Sequence, residues 1–143
     1  MGDLTKNFSR SEFICKCGNC DQIAVDFELV TILQEAVDHF SREYNQDVSC
    51  QITSGNRCLQ NNIRALIEHS GMTREEAEKS KSQHLNCIAA DHKFFLKQTR
   101  HQIDPDIVGD YYEEKFPEKY GIGRYENRTY LDIRTSKARW TSS

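Results

Sequence analysis

The longest regular spacing of apolar residues in the chain begins after Asp26. Apolar side chains recur there at steps of three and four residues, which is the spacing of a helix that buries one face. They are Leu29, Ile32, Leu33, Ala36, Val37, Phe40 and Tyr44. We therefore predict a long amphipathic helix over this stretch.

Four further stretches predict strands. In the first, Val48, Cys50 and Ile52 alternate with polar residues up to a turn at Ser54-Gly55-Asn56, as in a half-buried strand. The other three are Cys87–Phe94, Gly121–Tyr125 and Thr129–Ile133. The short polar turn Glu126-Asn127-Arg128 separates the last two, which predicts a hairpin.

Capping signals and a second apolar pattern predict the shorter helices. The predicted starts are Ser9 with Glu12, Thr73 with Glu76, and Asp104 with Pro105, the last opening a helix through about Phe116. Ile63, Leu66 and Ile67 mark one more helix, which Gly71 closes. Together these elements predict an α+β fold, in which helices pack around a small antiparallel sheet.

The length of the chain predicts a single domain over residues 1–143, because domains cluster near roughly 100 to 150 residues. With 37% hydrophobic and 29% charged residues, the composition excludes a disordered chain. The formal net charge is -3 and both signs are interspersed, so we expect no nucleic-acid partner.

A membrane partner is also not expected. No apolar stretch approaches the roughly 20 residues that span a bilayer, and Met1–Arg10 lacks the apolar region of a signal peptide. We therefore predict synthesis in a cytoplasm, with presence in a virion or release on lysis as open destinations.

Candidate metal chemistry lies at Ser82-Gln83-His84 and Ala89-Ala90-Asp91. Imidazole and carboxylate groups both coordinate zinc. Ala89 and Asp91 fall on one face of the predicted strand, and the small Ala89 leaves room for a ligand beside Asp91. The alternative interpretation is a loop histidine and a solvated aspartate, because short motifs often match by chance.

Four motifs occur in a particular order along the chain. They are Asn7-Phe8-Ser9-Arg10-Ser11-Glu12-Phe13, Ser54-Gly55-Asn56-Arg57-Cys58, Ser82-Gln83-His84-Leu85 with Ala89-Ala90-Asp91, and Gly121-Ile122-Gly123 with Leu131-Asp132-Ile133-Arg134. In this order the chain resembles the zinc D-Ala-D-Ala carboxypeptidases and the related phage endolysin peptidases. The resemblance covers nearly the whole chain.

The resemblance implies a zinc peptidase that cleaves a peptide bond of peptidoglycan. His84 and Asp91 match the first two zinc ligands of the family, Arg57 matches an arginine facing the substrate cleft, and Ser82 supports the substrate site. A catalytic zinc needs three protein ligands and one open position, where it acidifies a bound water to a pKa of roughly 7. Arg57 would then hold a peptide carboxylate or polarise the scissile carbonyl.

Two positions depart from the family pattern. Tyr130 stands where the family has its third ligand, a histidine, so the candidates for that ligand are Tyr130 itself, Asp132 or His92. Strand alternation predicts that Tyr130 and Asp132 share one face, and that His92 points to the face opposite Asp91. The general base of the family is an acidic residue shortly before that histidine. Asn127 occupies the matching neighbourhood and Glu126 lies one position away, which leaves Glu126 and Asp132 as the candidate acid or base.

The cysteines form a second candidate site. Cys15, Cys17 and Cys20 lie close in sequence, and Cys58 joins them if the Ser54 turn packs beside the N-terminal segment. Four thiolates make a structural zinc site, and disulfides are the competing interpretation. We expect Cys50, on a predicted strand, to be a small buried hydrophobe.

These observations leave two functions of different classes. The first is a zinc peptidase acting on peptidoglycan peptides. The second is a noncatalytic module that keeps the peptidase fold as a binding or assembly surface, for example with a protein partner in a phage particle. A redox or zinc-knuckle protein is a weaker third alternative, since the cysteine spacing does not open a helix as redox motifs do.

Overall fold

A computed structural model of the chain describes residues 2–15, 25–55, 59–78 and 88–141. Its helices are a 3-10 turn at Arg10–Glu12, α1 at Phe27–Glu43, α2 at Leu59–Ser70, α3 at Arg74–Glu78 and α4 at Pro105–Lys115. Its strands are β1 at Val48–Ser54, β2 at Ala89–Leu96, β3 at Gly121–Arg124, β4 at Thr129–Asp132 and β5 at Ala138–Thr141. No helix within these ranges is long and apolar enough to cross a membrane.

The helix starts follow local capping chemistry. Asp26 caps α1 by accepting a 2.8 Å hydrogen bond from the backbone N–H of Glu28, and Asp104 caps α4 in the same way. Both capping boxes are present, since Ser9 bonds with Glu12 and Thr73 bonds with Glu76. The predicted apolar face of α1 is confirmed, and its buried residues are Leu29, Val30, Ile32, Leu33, Ala36, Val37 and Phe40.

The predicted α+β fold is confirmed, with a correction to the sheet. The strand order is β1-β2-β4-β3-β5, and the first three neighbouring pairs are antiparallel. The last pair, β3 with β5, is parallel, so the sheet is mixed rather than wholly antiparallel. The chain leaves β4, crosses to the far side of β3 and then runs in the same direction as β3. The sequence pattern did not predict β5.

The sheet has two different faces. On the core face, α1 packs against β1, and α4 packs against β3 and β4. Large, fully buried side chains fill this space, among them Phe8, Leu29, Phe40, Phe94, Tyr112, Ile122 and Leu131. We call the opposite side the outer face.

Two arginines connect α4 to the core face of β3 and β5, the last two strands in the sheet order. Arg124 of β3 donates from Nη1 to Asp110 Oδ1 at 2.8 Å. Arg139 of β5 donates to the carbonyl of Phe116 at 2.7 Å and pairs with Glu113. Because Arg139 of the edge strand β5 points to the core face, its neighbours Ala138 and Trp140 point to the outer face.

Candidate functional site

A row of cross-strand neighbours crosses the outer face of the sheet. Asp91 of β2 lies opposite Tyr130 of β4, Tyr130 lies opposite Gly123 of β3, and Gly123 lies beside Trp140 of β5. Neighbours in such a row point to the same side of a sheet, so Asp91, Tyr130 and Trp140 share the outer face. Two of these residues are those that the sequence suggested as metal ligands.

The next row of cross-strand neighbours on this face contains Asp132, the second acidic residue of the site. Asp132 lies opposite both Ala89 and Gly121, and Gly121 lies beside Ala138. Alternation along β2 and β4 therefore puts Ala89 beside Asp91, and Asp132 beside Tyr130, on the outer face. The predicted shared face of each pair is confirmed.

Asp132 is fully buried and accepts hydrogen bonds from several directions. Its Oδ1 accepts from the backbone N–H groups of Gly121 and Arg134, both at 3.0 Å. The side chain of Arg134 donates from Nε at 2.9 Å and from Nη2 at 2.6 Å. Burial alone would raise the pKa of Asp132, but the hydrogen bonds from Arg134 and Tyr130 outweigh it and hold the pKa below its ordinary value.

Tyr130 adds the remaining contact to Asp132. Its hydroxyl donates to Asp132 Oδ2 at 2.6 Å, and its side chain is only 6% exposed. Burial, followed by the charge of Asp132, raises the pKa of the Tyr130 phenol far above its ordinary value. A phenol that stays protonated and donates a hydrogen bond to a carboxylate does not offer a metal ion an anionic oxygen.

Two glycines of β3 make room for these side chains. A Cβ on Gly121 would stand 2.4 Å from Asp132 Oδ2, and a Cβ on Gly123 would stand 2.6 Å from Trp140 Nε1. The carboxylate and the indole therefore lie directly on the backbone of β3. Any larger residue at either position would push them out of the site.

Aromatic and cationic side chains lie beside the buried hydrogen-bond network of Asp132, and we call them the border of the site. The indole Nε1 of Trp140 donates to the hydroxyl of Tyr125 at 2.9 Å, and the rings of Trp140 and Tyr130 lie 4.8 Å apart. The guanidinium of Arg134 lies 5.6 Å from the Trp140 ring centre. Arg128 stacks on Tyr125, with its Cζ 4.1 Å from the ring centre. Tyr125, Arg128, Arg134 and Trp140 are partly exposed, so they form the accessible surface of the site.

Asp91, a predicted ligand, lies beside Arg128 of this border. It is 6% exposed, and Arg128 Nε lies 3.6 Å from its Oδ1. The distance indicates an ion pair without a direct hydrogen bond. Asp91 therefore has a cationic neighbour on the same face as Tyr130.

His92 points away from the site, as the alternation along β2 predicts. It is fully buried on the core face, with Nδ1 3.1 Å from the carbonyl of Ala90 and Nε2 2.8 Å from the hydroxyl of Tyr112. The carbonyl only accepts, so Nδ1 carries the proton and Nε2 accepts from Tyr112. Desolvation, opposed by the bond to Ala90 and by Asp91, lowers the pKa of His92 to about 4. His92 therefore cannot supply the third ligand.

Of the other predicted residues of the peptidase-type site, the structure describes only Glu126. Glu126 is exposed in the turn between β3 and β4. The substrate residues Arg57 and Ser82, and the metal ligand His84, lie outside the described residues. Among residues 2–15, 25–55, 59–78 and 88–141, no three His, Cys, Asp or Glu side chains lie close enough together to hold a metal ion.

The cysteine prediction depends on where the N-terminal segment packs. A Cβ on Gly55 would stand 2.8 Å from the Cα of Phe13, so the turn after β1 lies directly against the backbone of that segment. This is the approach on which the prediction rested. Cys15 is buried at the end of the described N-terminal segment, while Cys17, Cys20 and Cys58 lie outside the described residues. Cys50 packs against the core but is only partly buried, where the sequence predicted a buried residue.

Sequence reasoning gave no role to Arg128, Arg134, Tyr125 or Trp140. The signal for Arg134 was its place two residues after Asp132 on the same face of the chain. Trp140 carried no such signal, because its position depends on the parallel pairing of β5 with β3.

Comparison with models of known protein families found no match for the chain. Comparisons with curated proteins and with solved structures found no match either.

Proposed function

We propose that the outer face of the sheet binds a peptide without hydrolysing it, so that the chain acts as a noncatalytic module on a peptidase-like fold. The expected ligand class is a peptide of the cell-wall type, as the resemblance of the sequence motifs implies. The hydrogen bond from Tyr130 to Asp132 is the observation that carries the noncatalytic part of the proposal.

The residues around Tyr130 do not fit a catalytic zinc. A site of this type needs three ligands that present lone pairs to the metal. Asp91 satisfies that requirement, and His84 satisfies it by residue type. Tyr130 occupies the third position as a buried hydrogen-bond donor with a raised pKa, and Asp132 behind it already accepts from Tyr130, Gly121 and Arg134.

A binding role agrees with the partly exposed border of the site. Aromatic rings and guanidinium groups are the side chains that most often anchor a peptide at a protein surface. Tyr125, Arg128, Arg134 and Trp140 supply them beside the buried network. Rings held in place by hydrogen bonds lose little conformational entropy when a ligand binds.

The rival function is a zinc peptidase, and a single substitution distinguishes the two. We would compare the parent with Tyr130→His, and then with Tyr130→His combined with His84→Ala. Zinc bound per chain would be measured by mass spectrometry, and hydrolysis would be measured on a cell-wall peptide. Because the cysteines are a second candidate zinc site, Cys17→Ser would be included in all three proteins.

We expect the parent to bind no zinc in the Cys17→Ser background and to leave the peptide intact. Tyr130→His should gain about one zinc per chain, because Asp132 would then accept from the second ring nitrogen and orient the imidazole. His84→Ala should remove that zinc. Zinc binding and peptide hydrolysis by the parent in the Cys17→Ser background would overturn the proposal in favour of the peptidase.

A further inference from the structure

A groove lies between α1 and α4, on the opposite side of the sheet from the candidate site. The helix α1 packs against β1, whereas α4 packs against β3 and β4. Because β2 separates β1 from β4 in the sheet, the two helices cover different parts of the core face. They leave between them a groove of about 580 Å³.

Aromatic and aliphatic side chains form the floor of this groove. Tyr111 of α4 stacks on His39 of α1 with ring centres 4.4 Å apart, and its ring lies 5.3 Å from that of Phe40. Phe40 is almost fully buried and its ring lies 5.4 Å from that of Phe94 in β2, so the floor rests on the core. Ile107 lines the groove one turn before Tyr111 and is 44% exposed. The floor therefore offers an accessible apolar surface.

Charged side chains form the rim of the groove, and most of them are acidic. The rim carries three carboxylates and one cation, which belong to Glu43, Asp110, Glu114 and Lys115. Lys115 pairs with Glu35 at 2.9 Å. Asp110 pairs with Arg124 at 2.8 Å. The charges of Lys115 and Asp110 are therefore already balanced by partners of opposite sign.

The two remaining carboxylates give the groove a net negative charge. Glu43 and Glu114 are exposed, and neither has a cationic partner in the part of the chain that the structure describes. Glu43 is also the last residue of α1, where the helix dipole adds partial negative charge. The neighbouring Arg42 lines a different groove, beside Asp47, and does not balance it. An apolar floor with a negative rim is complementary to a ligand that is both apolar and basic.

We infer that this groove binds a basic amphipathic helix of a partner protein. The apolar face of that helix lies on Ile107 and Tyr111. Its lysine or arginine side chains lie beside Glu43 and Glu114. A helix fits because the groove is bounded by two helices, and a third one would extend the layer at the usual spacing of roughly 8 to 10 Å.

The length of the groove sets the length of the partner segment. The lining residues of α4 extend from Ile107 to Lys115, which is about 12 Å along the helix axis and corresponds to roughly two turns of the partner helix. This surface is separate from the outer face of the sheet. The inference therefore does not depend on the peptide-binding function proposed above.

The test is a titration of the parent with three fluorescently labelled peptides, followed by fluorescence anisotropy at about 0.15 M salt. The first peptide has about 14 residues of leucine, alanine and lysine, with leucines at steps of three and four residues so that a helix has one apolar face. The second has glutamate in place of each lysine. The third has the composition of the first in an order that gives no apolar face. This comparison needs no variant of the protein.

Two pairs of variants then locate the bound peptide. Glu114→Gln removes one unbalanced carboxylate, and its control is Glu118→Gln, because Glu118 is exposed beyond the end of α4 and does not line the groove. Ile107→Ser removes the exposed apolar side chain. Its control is Phe27→Ser, because Phe27 is 60% exposed at the opposite end of α1 from Glu43. Circular dichroism would check that each variant retains the fold.

We expect the basic amphipathic peptide to bind the parent at least about tenfold more tightly than either companion peptide. Glu114→Gln should weaken that binding about threefold and Ile107→Ser about tenfold, while both controls stay close to the parent. Absence of saturable binding, equal binding of the peptide without an apolar face, or binding that neither groove variant weakens would overturn the inference. Self-association of the parent that Ile107→Ser abolishes in sedimentation would also overturn it, because a second copy of the chain would then fill the groove.

Discussion

The hydroxyl of Tyr130 lies 2.6 Å from Oδ2 of Asp132, and the two side chains are almost completely shielded from solvent. At the position for which the sequence resemblance predicts a metal ligand, Tyr130 donates a hydrogen bond to a carboxylate. Asp132 in turn organises Arg134 and the backbone of β3. The site is built around a buried carboxylate, and that carboxylate should have measurable effects on stability.

Substitution of Tyr130 or Asp132 should lower the free energy of unfolding, and substitution of Asp132 should lower it more. Tyr130→Phe removes one hydrogen bond to a charged acceptor and should cost about 2 kcal/mol. Asp132→Asn leaves the N–H donors of Gly121 and Arg134 facing an amide and should cost about 3 kcal/mol. Urea unfolding at pH 7 measures both. A larger cost for Tyr130→Phe than for Asp132→Asn would contradict this account of the network.

The buried His92 should make folding stability depend on pH. Its pKa falls from 6.5 in the unfolded chain to about 4 in the folded protein, so the unfolded chain binds the extra proton first as pH falls. Stability should therefore be fully present above about pH 6.5 and decline as the pH falls toward 4. The total loss over this window should be about 3 kcal/mol.

The control for this dependence is His92→Gln, which cannot titrate but can still donate to the Ala90 carbonyl and accept from the Tyr112 hydroxyl. Urea midpoints measured between pH 7.5 and 4 should fall less steeply in the variant than in the parent. Asp132, whose pKa is lowered, loses its contribution only as the pH falls below the ordinary range of a carboxyl. Identical slopes in parent and variant would show that His92 is not the titrating group.

Gly123→Ala should displace the indole of Trp140. The added Cβ would stand 2.6 Å from Nε1 and 2.7 Å from Cε2, and neither atom belongs to a flexible chain end. We expect a loss of about 1 to 3 kcal/mol in stability and a shift in the emission of the single tryptophan. Gly71→Ala is the control, since Gly71 has a φ of +69° and open space around its Cβ position. It should cost about 1 kcal/mol without moving the emission.

The cysteine cluster should hold about one zinc ion per chain. Gly55 lies against Phe13, two residues before Cys15, and Cys58 follows Gly55 by three residues in the sequence. Metal analysis of the purified protein should show zinc that is lost with Cys17→Ser or Cys58→Ser. Cys50→Ser is the control and should retain the metal, because Cys50 packs against the core. If the protein lacks zinc and its thiols are oxidised without reductant, the competing disulfide interpretation holds.

Much of the fold could be predicted because its signals are local. The capping residues Asp26 and Asp104 lie next to the turns they close, and the apolar spacing of α1 follows from the geometry of one helix. The alternation along β2 likewise placed Asp91 and His92 on opposite faces before any strand partner was known. Helix caps, apolar spacing and strand alternation each depend on residues close in sequence, so they can be predicted without knowing the tertiary contacts.

The candidate site was only partly predictable for the opposite reason. The resemblance of the sequence predicted a metal ligand at Tyr130, and strand alternation predicted that Tyr130 and Asp132 share a face. It did not show that Gly121 would donate to Asp132, because that contact follows from the register of β3 against β4. The sequence did place Glu126 in the turn between these strands, where the structure shows it exposed.

The sequence by itself determined the helices, the first four strands and which residues within one strand share a face. The tertiary structure alone decided that β5 pairs in parallel with β3 and lays Trp140 over Gly123, beside Arg134. Helix caps and side-chain alternation depend only on residues a few positions apart in the sequence. The pairing of β5 depends on the free edge of β3 and on the anchoring of Arg139 to α4, and these contacts exist only after distant segments have packed together.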